Sequence, residues 1–264
     1  MHSSISRLSA IFLFLVLVLA LSTGCVEAPL PETKAPGAVS QPISPADQIA
    51  QMKQRSDFWK NFQCKVRVDV NGKTAKFSSP ALILVKSPDF VRFETFTPIG
   101  MTATLFVLNP TGPSLLIPSQ NKLYTAKSPQ ILVRRFLGGV NLPVEVFSRL
   151  LSATMSPEQL KNIQSVDKGG LLRLISKSPT QYIEWQLHSG ALERIFIGTP
   201  QFEGQVSYDP PVQLAKESTP QTIDISSKDW QMQIRVQQMQ PAPTFQPGVF
   251  HLPALPGVQK IELE

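Results

Sequence analysis

Hydrophobic and polar residues alternate with a period of two over most of the chain after residue 60. The first such run extends from Phe62 to Val70, in which every second residue is apolar or Cys64 and mostly charged residues stand between them. Similar runs recur up to residue 263 and are separated by turn sequences such as Asn71-Gly72 and Asn109-Pro-Thr-Gly112. This pattern predicts an antiparallel meander of about eleven strands with short turns.

A few segments have helical rather than strand periodicity. Ser44 is followed by a proline and, three residues after it, by an aspartate, which predicts an N-cap and a helix that runs to about Phe58. Three short, strongly apolar helices are predicted further on, beginning at Pro129, at Pro143 and at the capping box Ser156-Pro-Glu-Gln159. We expect these helices to cover a concave sheet, in a mainly β fold of the α+β class that forms one domain, residues 44–264.

Two of the predicted strands are apolar at both odd and even positions. Residues 82–85 and residues 105–108 are apolar throughout. A sheet with one face in water would alternate instead. Either both faces of the sheet are covered at these strands, or one face lines an apolar cavity.

The first 24 residues predict an export signal. Arg7 precedes an unbroken apolar run from Ala10 to Leu21, which is too short to span a bilayer as a stable helix. The segment that ends this region, Leu21-Ser-Thr-Gly-Cys25, resembles the bacterial lipoprotein signal, in which the cysteine is lipidated and becomes the first residue after cleavage. The alternative is an ordinary signal peptide followed by a cysteine that has no such role.

Lipidation of Cys25 would anchor the mature chain to a membrane through its acyl chains. Residues 25–43 are rich in proline and lack periodicity, which predicts a disordered tether. By the same resemblance, Val26 after the lipidated cysteine implies sorting to the outer membrane, so that the domain would face the periplasm.

Composition and motifs favour a binding protein over an enzyme. The chain has 264 residues and a net charge of +6, but its Lys and Arg residues are scattered and do not interleave with aromatic residues, which gives nucleic-acid binding little support. With Cys25 consumed, Cys64 has no disulfide partner, and with only His188 and His251 left in the mature chain a metal site is not expected. Nucleophile-elbow, zinc-protease and phosphate-loop motifs are absent from the sequence, so we predict no cofactor and no catalytic residues.

The turn Thr97-Pro-Ile-Gly100 places a large aliphatic side chain between two turn-forming residues. Pro98 fixes its own φ angle, and Gly100 adopts a positive φ without steric cost. Ile99 therefore lies at the tip of a turn, where it either folds back onto the core or contacts an apolar surface outside the chain.

The sequence resembles LolB-like outer-membrane lipoproteins of the LolA/LolB lipoprotein-localisation superfamily. The resemblance is carried by Val91 to Gly100, Leu123-Tyr124, Gly138-Gly-Val-Asn-Leu-Pro143 and the helix that ends at Leu151. It implies a half-barrel closed by helices and a protein that binds acyl chains. It also implies acylated lipoproteins or lipids as partners, with a periplasmic LolA-like carrier as the delivering protein.

The same resemblance assigns roles to particular residues. In LolB the corresponding turn carries a protruding leucine that helps to deliver acylated cargo into the membrane, and Ile99, between Pro98 and Gly100, matches it. The face of the sheet toward the helices is then expected to accept acyl chains. The candidate residues for this cavity are Leu84, Phe93, Leu105, Phe106 and Trp185.

Two other functions remain open from the sequence. One is a structural or assembly lipoprotein of the cell envelope whose interior is a filled core. The other is a carrier of free lipid. The volume of the interior distinguishes the first from the acyl-binding proteins, because ligand cavities for molecules of this size measure about 300 to 1,000 Å³.

Overall fold

The structure is a computed structural model, and it describes residues 44–73, 76–136, 140–179, 181–200, 202–241, 244–252 and 256–264. The predicted signal peptide (1–24), the lipidation site Cys25 and the predicted tether (25–43) lie outside the described residues. So do Gly138 and Gly139 of the segment that carries the resemblance to LolB-like proteins.

Within the described residues the chain forms fourteen strands and four α-helices. The helices are α1 (Pro45–Phe58), α2 (Pro129–Phe136), α3 (Val144–Ser152) and α4 (Pro157–Lys161). The strands are β1 (Asn61–Gly72), β2 (Lys76–Lys86), β3 (Phe90–Phe96), β4 (Thr102–Asn109), β5 (Gly112–Ile117), β6 (Lys122–Ala126), β7 (Ile163–Lys168), β8 (Leu171–Ser178), β9 (Gln181–His188), β10 (Ala191–Gly198), β11 (Glu203–Gln213), β12 (Thr222–Ser227), β13 (Trp230–Pro241) and β14 (Gln259–Leu263).

All of these strands belong to one sheet, in the order β14-β6-β5-β4-β3-β2-β1-β13-β12-β11-β10-β9-β8-β7. Neighbouring strands are antiparallel except β14, which pairs with β6 in parallel. Because β14 and β7 are its two edges, the sheet does not close on itself. The predicted mainly β fold with an antiparallel sheet is confirmed, although the expected number of about eleven strands was too low.

The helix starts follow the capping signals in the sequence. Ser44 accepts a hydrogen bond from the backbone N–H of Asp47 at 3.2 Å, and α1 begins at the next residue after Ser44. Ser156 and Gln159 form both halves of a capping box at the start of α4. Each cap satisfies backbone N–H groups that the first turn of a helix leaves without partners.

Different elements cover the two faces of the sheet in its first half. Helices α2 and α3 cover one face, which we call the helix face. Residues 244–252, which we call the C-terminal strap, pack through Phe245, Val249 and Phe250 against the other face, the strap face. The side chains of Asn109 and Arg92 donate hydrogen bonds to the strap carbonyl groups of Phe250 at 2.9 Å and Val249 at 3.0 Å. Strands β2 and β4 are therefore apolar on both parities because both of their faces are covered.

Candidate functional site

An apolar cavity lies between the helix face and helices α2 and α3. Its volume is about 90 Å³. All of its lining side chains are apolar except Thr104. The lining residues are Val68, Phe77, Val91, Phe93, Thr104, Phe106, Leu115, Leu132, Val133, Phe136, Val140, Leu142, Val144, Phe147 and Met232.

Strand register explains which side chains meet in this cavity. Phe93 on β3 lies directly opposite Phe106 on β4, and Phe106 lies opposite Leu115 on β5. Residues directly opposite each other in an antiparallel pair point to the same face of the sheet. The row therefore presents two aromatic rings and a leucine to the helices.

The two helices contact this row through aromatic rings. The ring centroid of Phe147 of α3 lies 6.3 Å from that of Phe93, and the planes of the two rings make an angle of 80°. The ring centroid of Phe136, at the end of α2, lies 4.6 Å from that of Tyr124 on β6. These contacts are apolar packing, which a hydrocarbon of similar shape can replace without leaving polar groups unsatisfied.

Of the five predicted cavity residues, only Phe93 and Phe106 line this cavity. Leu84 and Leu105 are buried on the strap face, where they pack with Phe250. Placing them beside Phe93 was wrong, because adjacent residues of a strand point to opposite faces: Leu105 precedes Phe106, and Leu84 lies opposite Arg92 rather than Phe93.

Trp185 does not line the cavity either. It belongs to β9, where it lies opposite Leu174 and Ile195, and it is 2% exposed within the main core. Its strand lies beyond β13 in the sheet order, far from the pair formed by β3 and β4. The apolar character of Trp185 alone could not distinguish a wall of the cavity from the core.

Some cavity residues were not predicted as such. Phe77 and Leu115 line it at positions that share a face with the predicted residues. The face of Leu115 relative to Phe106 could be assigned once the register of β4 and β5 was fixed. The sequence does not fix that register by itself, because both strands are apolar on both faces.

The C-terminal end of α3 is held by hydrogen bonds rather than by rings. Arg55 of α1, which is fully buried, donates from Nε to the carbonyl oxygens of Ser152 and Ala153, each at 3.0 Å, and from Nη1 to that of Ala215 at 2.9 Å. Burial lowers the pKa of the Arg55 guanidinium to about 10. A cation at this position is favourable because the last carbonyl groups of a helix carry partial negative charge.

The turn after β3 presents Ile99 outward. Ile99 is 80% exposed and Met101 is 61% exposed, and they are the two exposed large apolar side chains among the described residues. Of the two alternatives for Ile99, the structure shows the exposed one. Met101 was not singled out from the sequence, because it reads equally well as the first residue of the apolar strand that follows.

Backbone hydrogen bonds define the conformation of this turn. The N–H of Gly100 donates to the carbonyl of Thr97 at 2.9 Å, and the N–H of Thr97 donates to the carbonyl of Met101 at 2.8 Å. The Thr97 hydroxyl accepts from the N–H of Met101 at 3.1 Å. Gly100 has a φ of +81°, as its place after Pro98 and Ile99 predicted.

A second, larger cleft lies at the other end of the sheet, between α1, α3 and α4. Its volume is about 480 Å³, and it mixes apolar residues such as Phe62 with the charged residues Lys53, Lys60, Arg149 and Lys161. A hydrocarbon chain would desolvate these cations, which makes the cleft a poorer site for acyl chains than the smaller apolar cavity.

Two further observations concern what the described residues lack. None of the helices that the structure describes has both the length and the hydropathy needed to cross a bilayer. Across the described ranges, no three His, Cys, Asp or Glu side chains are grouped so that they could hold a metal ion.

The chain is similar in structure to proteins of known fold. No family model and no curated protein matches its sequence. A DUF1329 family protein from Desulfovibrio piger has a TM-score of 0.53 and 8% identity, over 80% of this chain and 98% of that chain. A putative outer membrane lipoprotein-sorting protein domain from Vibrio parahaemolyticus has a TM-score of 0.52 and 12% identity, over 77% of this chain and 95% of that chain.

A LolA superfamily protein from Nitrosomonas europaea has a TM-score of 0.51 and 9% identity, over 77% of this chain and 96% of that chain. Similarity at such low identity establishes the fold and leaves function to be argued from the site. The chain therefore has the fold of these proteins, and the resemblance to the LolA/LolB superfamily is confirmed at the level of the fold.

Proposed function

We propose that this protein is a lipoprotein of the outer membrane, anchored through Cys25 and facing the periplasm. It binds the acyl chains of lipoproteins between the helix face and helices α2 and α3, and it receives those lipoproteins from a LolA-like carrier or inserts them into the membrane. The observation that carries the proposal is the apolar cavity lined by Phe93, Phe106 and Phe147 in a fold of this type.

The cavity is small in this structure. A volume of about 90 Å³ is too small for a whole acyl chain, because cavities that hold ligands of such size measure about 300 to 1,000 Å³. An acyl chain therefore enters only if α2 and the N-terminal half of α3 move away from the sheet. We call helices α2 and α3 together the lid. The contacts described above favour this movement, because aromatic rings hold α2 and the N-terminal half of α3 on the sheet, whereas hydrogen bonds hold the C-terminal end of α3.

The turn at Ile99 has a separate role in this proposal. Its exposed apolar tip enters the bilayer and places the opening of the cavity next to the membrane during delivery. Pro98 and Gly100 contribute by fixing the turn, and Ile99 contributes the apolar surface.

The small volume also favours a second candidate. A structural or assembly lipoprotein of the cell envelope would have a filled interior that never opens, and a cavity of about 90 Å³ is within the range of a packing defect. The two candidates differ in one property, namely whether acyl chains bind inside the domain.

Native mass spectrometry tests this difference. Residues 42–264 form one compact unit, and this fragment is incubated with acylated and non-acylated forms of one lipoprotein and with palmitic acid. We expect adducts with the acylated form only. Adducts with palmitic acid but with neither lipoprotein form would indicate a carrier of free lipid. The absence of any adduct would refute acyl binding and favour the structural or assembly lipoprotein.

Two matched variants locate the binding site. Val133→Trp fills the cavity from α2, whereas Val107→Trp introduces the same bulk on the strap face. Both overpack a buried position and should cost about 1 to 3 kcal/mol of stability. Only Val133→Trp should abolish the adduct, and equal loss in both variants would place acyl binding elsewhere. Ile99→Glu should leave the adduct intact and stop delivery to vesicles.

A further inference from the structure

We propose that the end of the sheet that carries Ile99 is a docking surface for anionic lipid bilayers, in which Ile99 and Met101 insert between the lipids and Lys76, Lys122 and Lys228 contact their phosphate groups. This inference rests on the proposed function for its biological purpose. It goes beyond that function in naming the chemistry of the membrane surface and the residues that recognise it.

The apolar part of the surface is a preformed pair of side chains. Ile99 and Met101 are both more than half exposed, and three hydrogen bonds within the turn hold the backbone between them. An exposed apolar pair on a fixed turn inserts without the entropic cost of ordering a flexible loop. Inserting two such side chains supplies hydrophobic attachment that does not depend on the charge of the lipid.

The strand register places the lysines around this turn. Strand β2 pairs Ala81 with Thr95 near the end of β3 and continues past that end to Lys76, so Lys76 lies on the strand next to the turn. On the other side, β6 begins at Lys122, which pairs with Ile117, the last residue of β5. Two strands separate β6 from β3, and neighbouring strands are about 4.8 Å apart.

Lys228 lies at the same end. It belongs to the turn between β12 and β13, and β13 begins at Trp230 opposite Gly72, the last residue of β1. Lys76 and Lys228 are exposed and Lys122 is half-buried. The surface therefore has positive charge on both sides of the apolar tip.

Little negative charge opposes these lysines. Asp229 neighbours Lys228, but it forms an ion pair with Lys73, and the proximity of these cations lowers its pKa. Among the ion pairs that join described residues, none involves Lys76 or Lys122. The charge at this end of the sheet complements a surface of phosphate groups with net negative charge, and zwitterionic lipids do not offer such a surface.

Vesicle flotation with the fragment 42–264 tests the proposal. Binding is measured with vesicles of pure phosphatidylcholine and with vesicles of three parts phosphatidylcholine to one part phosphatidylglycerol, at low and at high ionic strength. We expect at least tenfold tighter binding to the anionic vesicles, and we expect high salt to remove this preference because it screens exposed charges. Equal binding to both vesicle types, or binding to neither, would overturn the proposal.

Charge-matched variants distinguish an effect of these three positions from an effect of the net charge of the chain. Each lysine near an anionic surface changes binding by about fivefold, so replacing Lys76, Lys122 and Lys228 by glutamine should weaken binding to anionic vesicles about a hundredfold. The control replaces three exposed lysines at the opposite end of the sheet by glutamine and should leave binding unchanged. These control residues are Lys60, Lys86 and Lys127. Equal effects of the two triple variants would contradict the proposed surface.

Two measurements keep this proposal distinct from the proposed function. The double variant Ile99→Ser with Met101→Ser should weaken binding to both vesicle types while the preference for anionic lipid persists. Binding of the acylated lipoprotein is measured in the same preparations without vesicles. Acyl binding without a preference for anionic vesicles would refute only the docking surface, and the preference without acyl binding would refute only the proposed function.

Discussion

The substitution Arg55→Met tests how the lid is anchored. The guanidinium of Arg55 is buried, and its hydrogen-bond acceptors are the carbonyl groups of Ser152, Ala153 and Ala215. Methionine has a similar length and flexibility and can occupy the same space, but it donates no hydrogen bond. The variant therefore removes the polar anchor of the C-terminal end of α3 with little change in packing volume.

The expected loss of stability follows from two opposing terms. Removing the cation relieves the cost of its burial, which amounts to several kcal/mol. It also removes three hydrogen bonds from a charged group, each of which contributes about 1.5 to 3 kcal/mol, or about 4.5 to 9 kcal/mol together. The second set is larger, and we expect a net loss of about 3 kcal/mol. In a domain of this size that loss lowers Tm by about 6 to 12 °C.

Urea unfolding of the fragment 42–264, followed by tryptophan fluorescence, measures this loss. The control is Arg67→Met, which removes an exposed arginine that donates to Ser78 and should change stability by about 0.5 kcal/mol or less. A loss below about 1 kcal/mol for Arg55→Met would refute the reasoning, because the carbonyl groups at the end of α3 would then not depend on Arg55.

Three further predictions concern single groups. Hydrogen bonds from Arg173, Tyr182 and Gln186 hold the pKa of Glu184 at about 2, below its ordinary value. The stability that these bonds supply is present above about pH 4.5 and is lost as the pH falls toward 2. Measurements of Tm against pH should show this loss, and in the Glu184→Gln variant Tm should change less over that pH range. Burial raises the pKa of the Cys64 thiol to about 12, so a thiol reagent at pH 8 should label it only in denaturant, and rapid labelling of the native protein would contradict its burial. Phe250→Ala removes the strap residue that packs against Phe90 at 5.4 Å and should cost about 3 kcal/mol in urea unfolding, with fast hydrogen exchange confined to the strap; unchanged exchange would show that the strap is held by other contacts.

The sheet and its short turns could be predicted because their signals are local. Period-two alternation identified β1, and turn residues separated β3 from β4. The turn at Ile99 was also read correctly, since proline and glycine fix its backbone whatever surrounds it. Strand β2 continues through Pro80, because β1 pairs with it on both sides of that residue.

The candidate site was only half predictable because its composition depends on long-range pairing. Residues 82–85 of β2 and residues 105–108 of β4 are all apolar, so the alternation of polar and apolar residues does not show which of these side chains face the helices and which face the strap. The strap itself comes from residues 244–252, and nothing in β2 or β4 points to that distant segment. When both faces of a sheet are covered, the residues that line its cavity can therefore be identified only once the strand register is known.

Arg55 was missed for a different reason. It occupies the buried stripe of α1 together with Met52, three residues before it, at a spacing that normally carries apolar side chains. An arginine at such a position reads as an exposed residue unless its acceptors are known. Those acceptors lie about a hundred residues further along the chain, at the end of α3.

The unequal anchoring of the lid agrees with a protein that must release what it binds. Separating helices α2 and α3 from the sheet exposes the rings of Phe93, Phe106, Phe136 and Phe147 and also buried aliphatic side chains. Full exposure costs about 1.5 to 3 kcal/mol for each large apolar side chain. An acyl chain that buries about twelve methylene groups returns about 10 kcal/mol, at 0.8 kcal/mol for each. In the proposed function the second quantity offsets part of the first, so that net binding is weak and the cargo can pass on to a membrane. Arg55 and Tyr208 donate their hydrogen bonds to the carbonyl groups of Leu150, Ser152 and Ala153, at the C-terminal end of α3. Movement of α2 and the N-terminal half of α3 therefore leaves these bonds intact.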